Sequence, residues 1–404
     1  MLVLPALIRY LIHPAPGNEL KNSFLQEVAA ISKWENTVFP LQQNGLLPLF
    51  RSALIEAEQY EVIALAVREV IDTAVRQQVL RNLKLQATLL QLHEVLSRNN
   101  IPFALLKGFA LASVCYRDAS LRPMIDIDIL VNEEDVPVIR HILSEFGAEK
   151  FSEPQTKFYA TLASHEPGIL LEGVLIEPHT TLFKGPESLG LSECICLPFE
   201  IARKTYQVPA PDLHLLFIMN HVHKHLPRER FKLLWLRDTA CLMQQLFTGQ
   251  EKIEEEFFRL ADRYHCRTEV SEITALMLTL LPDLLNYSFK APLPPLPEWM
   301  EPSLKIVAHY GMKRRNDPAP RIRYFSDMFN FKGKILFLAG LLFPSITYMK
   351  MRYKSFPANM IFLLYPYHFL RVFGKGIIML LRFAFSRLIR QSRITHFEKK
   401  RSDA

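Results

Sequence analysis

Asp126 and Asp128 stand two apart in the run Ile125-Asp126-Ile127-Asp128-Ile129-Leu130-Val131. On a strand, positions i and i+2 share a face. Both carboxylates then point one way, and Ile125, Ile127, Ile129 and Val131 point to the core. Like charges held together beside a buried strand repel and are costly to desolvate. A divalent cation relieves both costs, and Mg²⁺ prefers hard oxygen donors at about 2.0–2.1 Å. Paired ions about 3.5–4 Å apart can clamp the attacking and leaving oxygens of a phosphoryl displacement. The same short pattern also suits an exposed strand with two solvated acids, and the pair alone does not choose.

Its neighbours add chemistry of the same kind. Leu105-Leu106-Lys107-Gly108 ends an apolar run and opens a helix. There, glycine lets backbone N–H groups approach a phosphate, and a helix N-terminus favours anions. Lys107 would add a point charge for a triphosphate, and Arg122, four residues before Asp126, could do likewise; each alone reads equally as a surface charge. A third acid, Glu177, ends the run from Ile169 to Ile176. An acid on a neighbouring strand would complete a metal cage or act as a general base. His179 shares the face of Glu177 if the strand continues through Pro178, as a site residue or as a satisfied hydrogen-bonding group.

A second group follows in Leu213-His214-Leu215-Leu216-Phe217-Ile218-Met219-Asn220-His221-Val222-His223-Lys224-His225. His214, His221 and His225 lie near one helical face. The H-x-x-x-H spacing lacks the glutamate of H-E-x-x-H, which excludes zinc-protease chemistry. His221 and His225 either line a substrate cleft or sit solvated at a helix end. Asp238, three residues after Trp235, either fixes a histidine tautomer or is an ordinary helix acid.

The segment L-L-K-G-F-A-L-A-S-V-C-Y-R-D-A-S-L-R-P-M-I-D-I-D-I-L-V, the following I-E-P-H, the H-x-x-x-H helix and L-W-L-R-D together resemble the uncharacterised nucleotidyltransferase family of the DNA polymerase beta-like superfamily. The resemblance spans about residues 80–245. It implies a mixed sheet flanked by helices, with Asp126, Asp128 and Glu177 as catalytic metal ligands and Lys107 and Gly108 in a nucleotide-binding turn. The implied cofactor is Mg²⁺ or Mn²⁺. The implied reaction moves a nucleoside monophosphate from a nucleoside triphosphate to an acceptor hydroxyl, with release of pyrophosphate. The competing expectation is a non-catalytic nucleotide-binding or membrane-associated adaptor that keeps the fold.

The elements that must position these residues are read from periodicity. Residues 19–98 carry apolar positions at helical spacing, stopped by Asn99-Asn100 and Pro102. Phe103–Leu106, Ile125–Val131, 157–163 and 169–177 read as strands. Helices are expected from Gly108 to about Tyr116, over Glu133–Phe146, and near 212–226, 231–247, 251–264 and 267–281. The fold class is therefore α+β: a small mixed-sheet core flanked by predominantly helical regions. The expected divisions are an N-terminal helical region (1–79), the core (80–200), a helical substrate-side domain (201–290), and a linker with a basic apolar C-terminal region (291–404).

Composition excludes several alternatives. With 49% apolar and 22% charged residues, the chain reads as folded and globular. It has only 14 glycines and neither a G-x-G-x-x-G nor a G-x-x-x-x-G-K-[ST] motif. Five cysteines without zinc spacing, and an apolar N-terminus carrying Arg9 and no cleavage signature, point to a reducing cytoplasmic setting.

The net charge of +7 is unevenly spread: residues 301–404 hold 20 Lys/Arg against 5 Asp/Glu. Within 332–397, apolar blocks alternate with Lys350, Arg352, Lys354, Arg371, Lys375, Arg382, Arg387 and Arg390, and Pro344, Pro357 and Pro366 interrupt the blocks. Each block is shorter than the ~20 residues a spanning helix needs. The segment reads either as helices packed on the body or as a peripheral contact with the anionic inner face of a membrane. Nucleic acid is not the expected partner, because no recognised binding module accompanies the charge.

Overall fold

The computed structural model describes residues 4–150, 168–183, 187–226, 231–247, 251–285, 289–297, 300, 339, 342–344, 346–353, 356–357 and 359–374. The expected strand over 157–163 lies outside them, as do Lys354, Lys375, Arg382, Arg387 and Arg390. The chain divides into two compact units. One takes in Met1–Phe151 and Ser164–Arg314, and the other Ser152–Ala163 and Arg315–Ala404.

The larger unit begins with four helices, α1 (Ala6–Ile12), α2 (Asn18–Ala29), α3 (Glu35–Gln43) and α4 (Leu47–Glu56), followed by the 34-residue α5 (Leu65–Arg98). β1 (Ala104–Leu106), α6 (Lys107–Cys115), β2 (Asp126–Leu130), α7 (Asp135–Glu145) and the two-residue β3 (Glu149–Lys150) come next. β4 (Ile169–Leu171) and β5 (Val174–His179) form a hairpin, as do β6 (Cys196–Ile201) and β7 (Lys204–Pro209). Four described helices follow: α8 (Pro211–His225), α9 (Leu234–Phe247), α10 (Glu251–Arg263) and α11 (Arg267–Leu280).

The seven strands form one mixed sheet in the order β3-β4-β5-β2-β1-β7-β6. β2 runs parallel to β5 and antiparallel to β1, and β1 runs parallel to β7. Leu105, Ile127, Ile129, Ile176 and Val208 bury one face of the sheet in a core shared with Leu85, Leu89 and Leu92 of α5 and Ile139 and Leu143 of α7. Ala104, Leu106 and Leu130 belong instead to the larger core built by α1 to α4 and α8 to α11. The α+β expectation is thus met. The expected core boundaries at 80 and 200 fall within α5 and within the β6–β7 hairpin.

Two local expectations change. Residues 169–177 are not one strand: Glu172 (φ 50°) and Gly173 (φ 78°) are both left-handed and turn the chain between β4 and β5. Positive φ at both central positions is what a tight two-residue hairpin turn requires. Ile125 does not face the core. It precedes β2 and is 56% exposed, whereas Ile127, Ile129 and Val131 are fully buried.

In the smaller unit, α12 (Ile346–Arg352) and a 3-10 turn (Ile361–Leu364) lead into helical residues 365–374. Met349, Ile361 and His368 are buried, and His368 Nδ1 lies 3.0 Å from the Tyr353 hydroxyl.

Candidate active site

The register of two parallel strands assembles the acids. β2 and β5 pair Asp126 with Leu175, Asp128 with Glu177 and Leu130 with His179. Because alternate residues share a face, Asp126, Asp128, Glu177 and His179 all project from the side of the sheet that carries Leu106 and Leu130. The strand does continue through Pro178, whose missing N–H costs nothing where β4 no longer pairs with β5. The segment entering β2 is clamped by Asn82 of α5, a buried residue. Its Nδ2 donates to the Arg122 carbonyl at 3.0 Å, and its Oδ1 accepts from the Met124 N–H at 3.2 Å.

Asp128 is the centre of the site. Its Oδ1 accepts from Lys107 Nζ at 2.8 Å and from His179 Nε2 at 3.0 Å. Burial alone would raise its pKa, but the Lys107 ammonium, the His179 hydrogen bond and their charges outweigh that and hold it well below the ordinary carboxylate range. Lys107 is raised in turn: Asp128, with help from Glu177 and Asp126, overcomes the cost of burying the ammonium. The Lys107 backbone is left-handed at φ 43°, a conformation that costs a non-glycine residue about 1 kcal/mol or more and tends to mark functional turns. Gly108 follows with ordinary φ. A β-carbon there would lie 3.6 Å from the Asp126 carbonyl and from the Met124 sulfur, an ordinary contact.

The two outer acids behave oppositely to Asp128. Burial, then the negative charge of Asp128, then that of Glu177 push Asp126 up to about 7. Burial and Asp128 push Glu177 up to about 7 as well. In the unfolded chain both ionise near pH 4. Between about pH 4 and 7 the unfolded state therefore ionises more readily, and the metal-free fold loses stability as pH rises through that window. Glu177→Gln should raise the urea-unfolding free energy of the metal-free protein at pH 8 by about 1–2 kcal/mol, discounted for its partial exposure, and change it little at pH 5. An equal effect at both pH values would show that carboxylate repulsion is not the cause.

This donor set fits a divalent cation. Ligand atoms of Asp128, Glu177 and His179 lie within 4.8 Å of one another. Burial and mutual repulsion hold two of the three acids at raised pKa, strain that a cation would relieve, and oxygen with imidazole donors suits Mg²⁺ less and Mn²⁺ more than an all-oxygen set. Asp126 shares the face but stands outside that closest group.

The remaining sequence candidates fall into two sets. His221 lies within the fields of Lys107 and Asp128; burial, then Lys107, then His225 keep it neutral by lowering its pKa well below the usual value. Its ring stands 4.4 Å from that of His225 and 4.8 Å from that of Trp235, and His225 lies 5.4 Å from Trp235. Phe217 backs the group, 5.9 Å from the His179 ring and 5.7 Å from Lys107 Nζ. His214 does not join them: it is buried, neutral with a pKa near 4 from burial and Arg122, and its Nε2 has no hydrogen-bond partner among the described residues.

Arg122 and Asp238 pair with each other. Arg122 Nε and Nη2 donate to the two Asp238 oxygens at 3.0 and 2.8 Å, and the Tyr116 hydroxyl donates to Oδ1 at 2.7 Å. With both side chains almost fully buried, Arg122 is committed to tying the loop before β2 onto α9, and Asp238 bonds no histidine among the described residues. One residue that sequence reasoning missed lies within the field of Asp126. Lys232, just before α9, is lowered by burial while the charge of Asp126 pulls it back, and Arg122 and Arg81 add positive field. A single lysine in a connection carries no sequence signal that separates it from a surface charge.

The model of the family described as uncharacterised nucleotidyltransferase matches residues 32–282. Among solved structures, the chain is similar to ANT(2'')-Ia in complex with adenylyl-2''-tobramycin, at 14% identity and a TM-score of 0.35, over 44% of this chain and 98% of that one. It is also similar to the solution structure of the antibiotic-resistance factor ANT(2'')-Ia, at 13% identity and a TM-score of 0.34, over 45% and 92%. A third is an antigenic nucleotidyltransferase-like protein from Paracoccidioides brasiliensis, at 15% identity and a TM-score of 0.27, over 47% and 92%. No curated protein matches the chain. The family match covers well over half of the 404 residues, and the chain belongs to the uncharacterised nucleotidyltransferase family.

Proposed function

We propose that this nucleotidyltransferase is metal-dependent and moves a nucleoside monophosphate from a nucleoside triphosphate to an acceptor hydroxyl. The observation that carries the reading is the β2–β5 register, which sets Asp128 opposite Glu177 beside Asp126 and His179. Asp126, Asp128 and Glu177 would hold Mg²⁺ or Mn²⁺, with His179 as a fourth donor. A bound divalent ion supplies charge neutralisation for the phosphates and for the oxygens that enter and leave phosphorus.

The chain's own groups account for the rest. The acceptor oxygen attacks the α-phosphorus, the bond to the bridging oxygen breaks, and pyrophosphate departs with that electron pair. The acceptor's proton passes to a carboxylate, and Glu177 would take it as general base only in the arrangement where Asp126 and Asp128 hold the metal without it. Lys107 and the first N–H groups of α6, at Gly108, favour the phosphates electrostatically, and Lys232 adds a second cation near Asp126. His221, His225 and Trp235 offer flat ring surfaces against which a base or an acceptor ring can stack.

The non-catalytic adaptor reading has one observation on its side: Lys107 already neutralises Asp128. The two readings separate in one experiment. Thermal stability is measured with each common triphosphate, with and without Mn²⁺ or Mg²⁺. Metal-dependent stabilisation by at least one triphosphate, lost in Asp126→Asn, is expected for the enzyme. A shift that is independent of metal, or none at all, belongs to the adaptor.

A further inference from the structure

From Met328 through Phe397 the sequence contains no Asp or Glu in 70 residues, against 11 Lys or Arg. Within the described part of that stretch, large apolar side chains face solvent. Phe343, Phe362, Leu363, Tyr367, Leu370 and Phe373 are each at least half exposed. They are not scattered singly. Phe369 and Phe373, four apart on helical residues 365–374, stack at 5.6 Å, and Phe343 lies 5.9 Å from Phe369. Lys350 and Arg352 are exposed in the last turn of α12, and Arg371 lies among the apolar positions, with Nη1 3.5 Å from the Tyr353 hydroxyl.

An exposed apolar cluster of this kind marks a binding surface, and the charge beside it restricts what can cover it. A nucleic acid would match the cations but leave Leu363 and Leu370 against water. A protein interface sets a polar rim around its apolar core, and a 70-residue stretch without one carboxylate suits a continuous anionic surface better than a rim of both signs. A bilayer interface offers anionic headgroups and an apolar layer together, the pairing that amphipathic interfacial segments use. Among the described residues, no helix is long and apolar enough to cross a membrane.

We propose that the C-terminal unit docks onto the surface of an anionic phospholipid bilayer. The exposed Phe, Leu and Tyr side chains enter the headgroup–acyl boundary, and Lys350, Arg352 and Arg371 meet the headgroups. This inference does not depend on the nucleotidyl-transfer reading.

The test is flotation of the full chain with phosphatidylcholine vesicles, with and without about a third phosphatidylglycerol, at low and high salt. At low salt the chain should partition onto the anionic vesicles at least tenfold more than onto the neutral ones, and high salt should reduce the difference. The triple variant Phe362→Ser/Leu363→Ser/Leu370→Ser should lose about tenfold or more of that binding with its thermal midpoint unchanged, because all three side chains are exposed. Leu363→Trp should shift its emission to the blue on anionic vesicles, a local readout independent of total binding. Absence of binding to anionic vesicles at low salt overturns the proposal. So does binding that the triple variant leaves intact, or a concentration-dependent dimer that the triple variant abolishes in a chain that ignores vesicles.

Discussion

Asp128→Asn should destabilise the metal-free protein by about 3 kcal/mol and remove its affinity for Mn²⁺ by about 100-fold or more. The stability loss comes from Lys107. Its ammonium is buried against Asp128 at 2.8 Å, and an amide leaves that charge facing Asp126 and Glu177 only. Those two acids soften the loss, because the like charge that raises their pKa values disappears with Asp128, which places the cost at the low end of what breaking a buried pair exacts.

A second substitution separates stability from metal binding. Lys107→Met added to Asp128→Asn removes the orphaned ammonium and should recover most of the stability, while Mn²⁺ binding stays lost. Lys107→Met alone should lower the stability of the metal-free protein at pH 8, where three carboxylates then face one another, and should make Mn²⁺ more stabilising than in the parent. Urea unfolding with and without Mn²⁺, together with free-Mn²⁺ measurement by electron paramagnetic resonance, reads both quantities. Full Mn²⁺ affinity in Asp128→Asn would remove Asp128 from the metal site.

Asp238→Ala should cost about 3–5 kcal/mol, a large part of the stability of an ordinary domain. The substitution strands the Arg122 guanidinium and the Tyr116 hydroxyl, both buried and both donating to Asp238. The guanidinium cannot shed its proton to escape, so the buried charge must be borne or exposed. Exposing it unties the loop that delivers Asp126, since Asn82 grips the Arg122 carbonyl. Arg122→Leu/Asp238→Leu should be far less damaging than either single change, because an apolar pair of similar volume leaves no unpaired charge. A double-mutant cycle in urea should therefore show coupling of about 2 kcal/mol or more. Additive losses would mean that the pair does not act as a unit.

What was legible in the sequence follows from how local each signal is. The alternation around Asp126 and Asp128 sits on one strand of five residues, and Ile127 and Ile129 report its buried face directly. Helices α8 to α11 announce themselves by apolar spacing and by Pro211 at the first helical turn. The β4–β5 hairpin hides in a continuous apolar run whose only punctuation is Glu172-Gly173. The β6–β7 hairpin is quieter still: it turns through Ala202 and Arg203 at φ 49° and 62°, residues that carry no turn preference. Yet β7 is the parallel neighbour that places β1 inside the sheet.

Charge pairing was the least legible layer. Arg122 reads from sequence as a phosphate or surface charge and Asp238 as a histidine partner or helix acid, because nothing local indicates that residues 116 apart will meet. Lys107 was read as a phosphate contact, and the structure places its ammonium on Asp128. The acids themselves needed only the register of two neighbouring strands, which is why Glu177 and His179 could be placed beside them from sequence.

Asp126, Asp128, Glu177 and His179 are proposed to share one cation site. Anomalous scattering from Mn²⁺ in crystals grown with a non-hydrolysable triphosphate tests it directly. A peak bounded by the Asp128 and Glu177 carboxylates and the His179 ring is expected, with Lys107 moved off Asp128 toward the phosphates. Mn²⁺ found only elsewhere, with Lys107 still seated on Asp128 and the triphosphate away from β2, would contradict it.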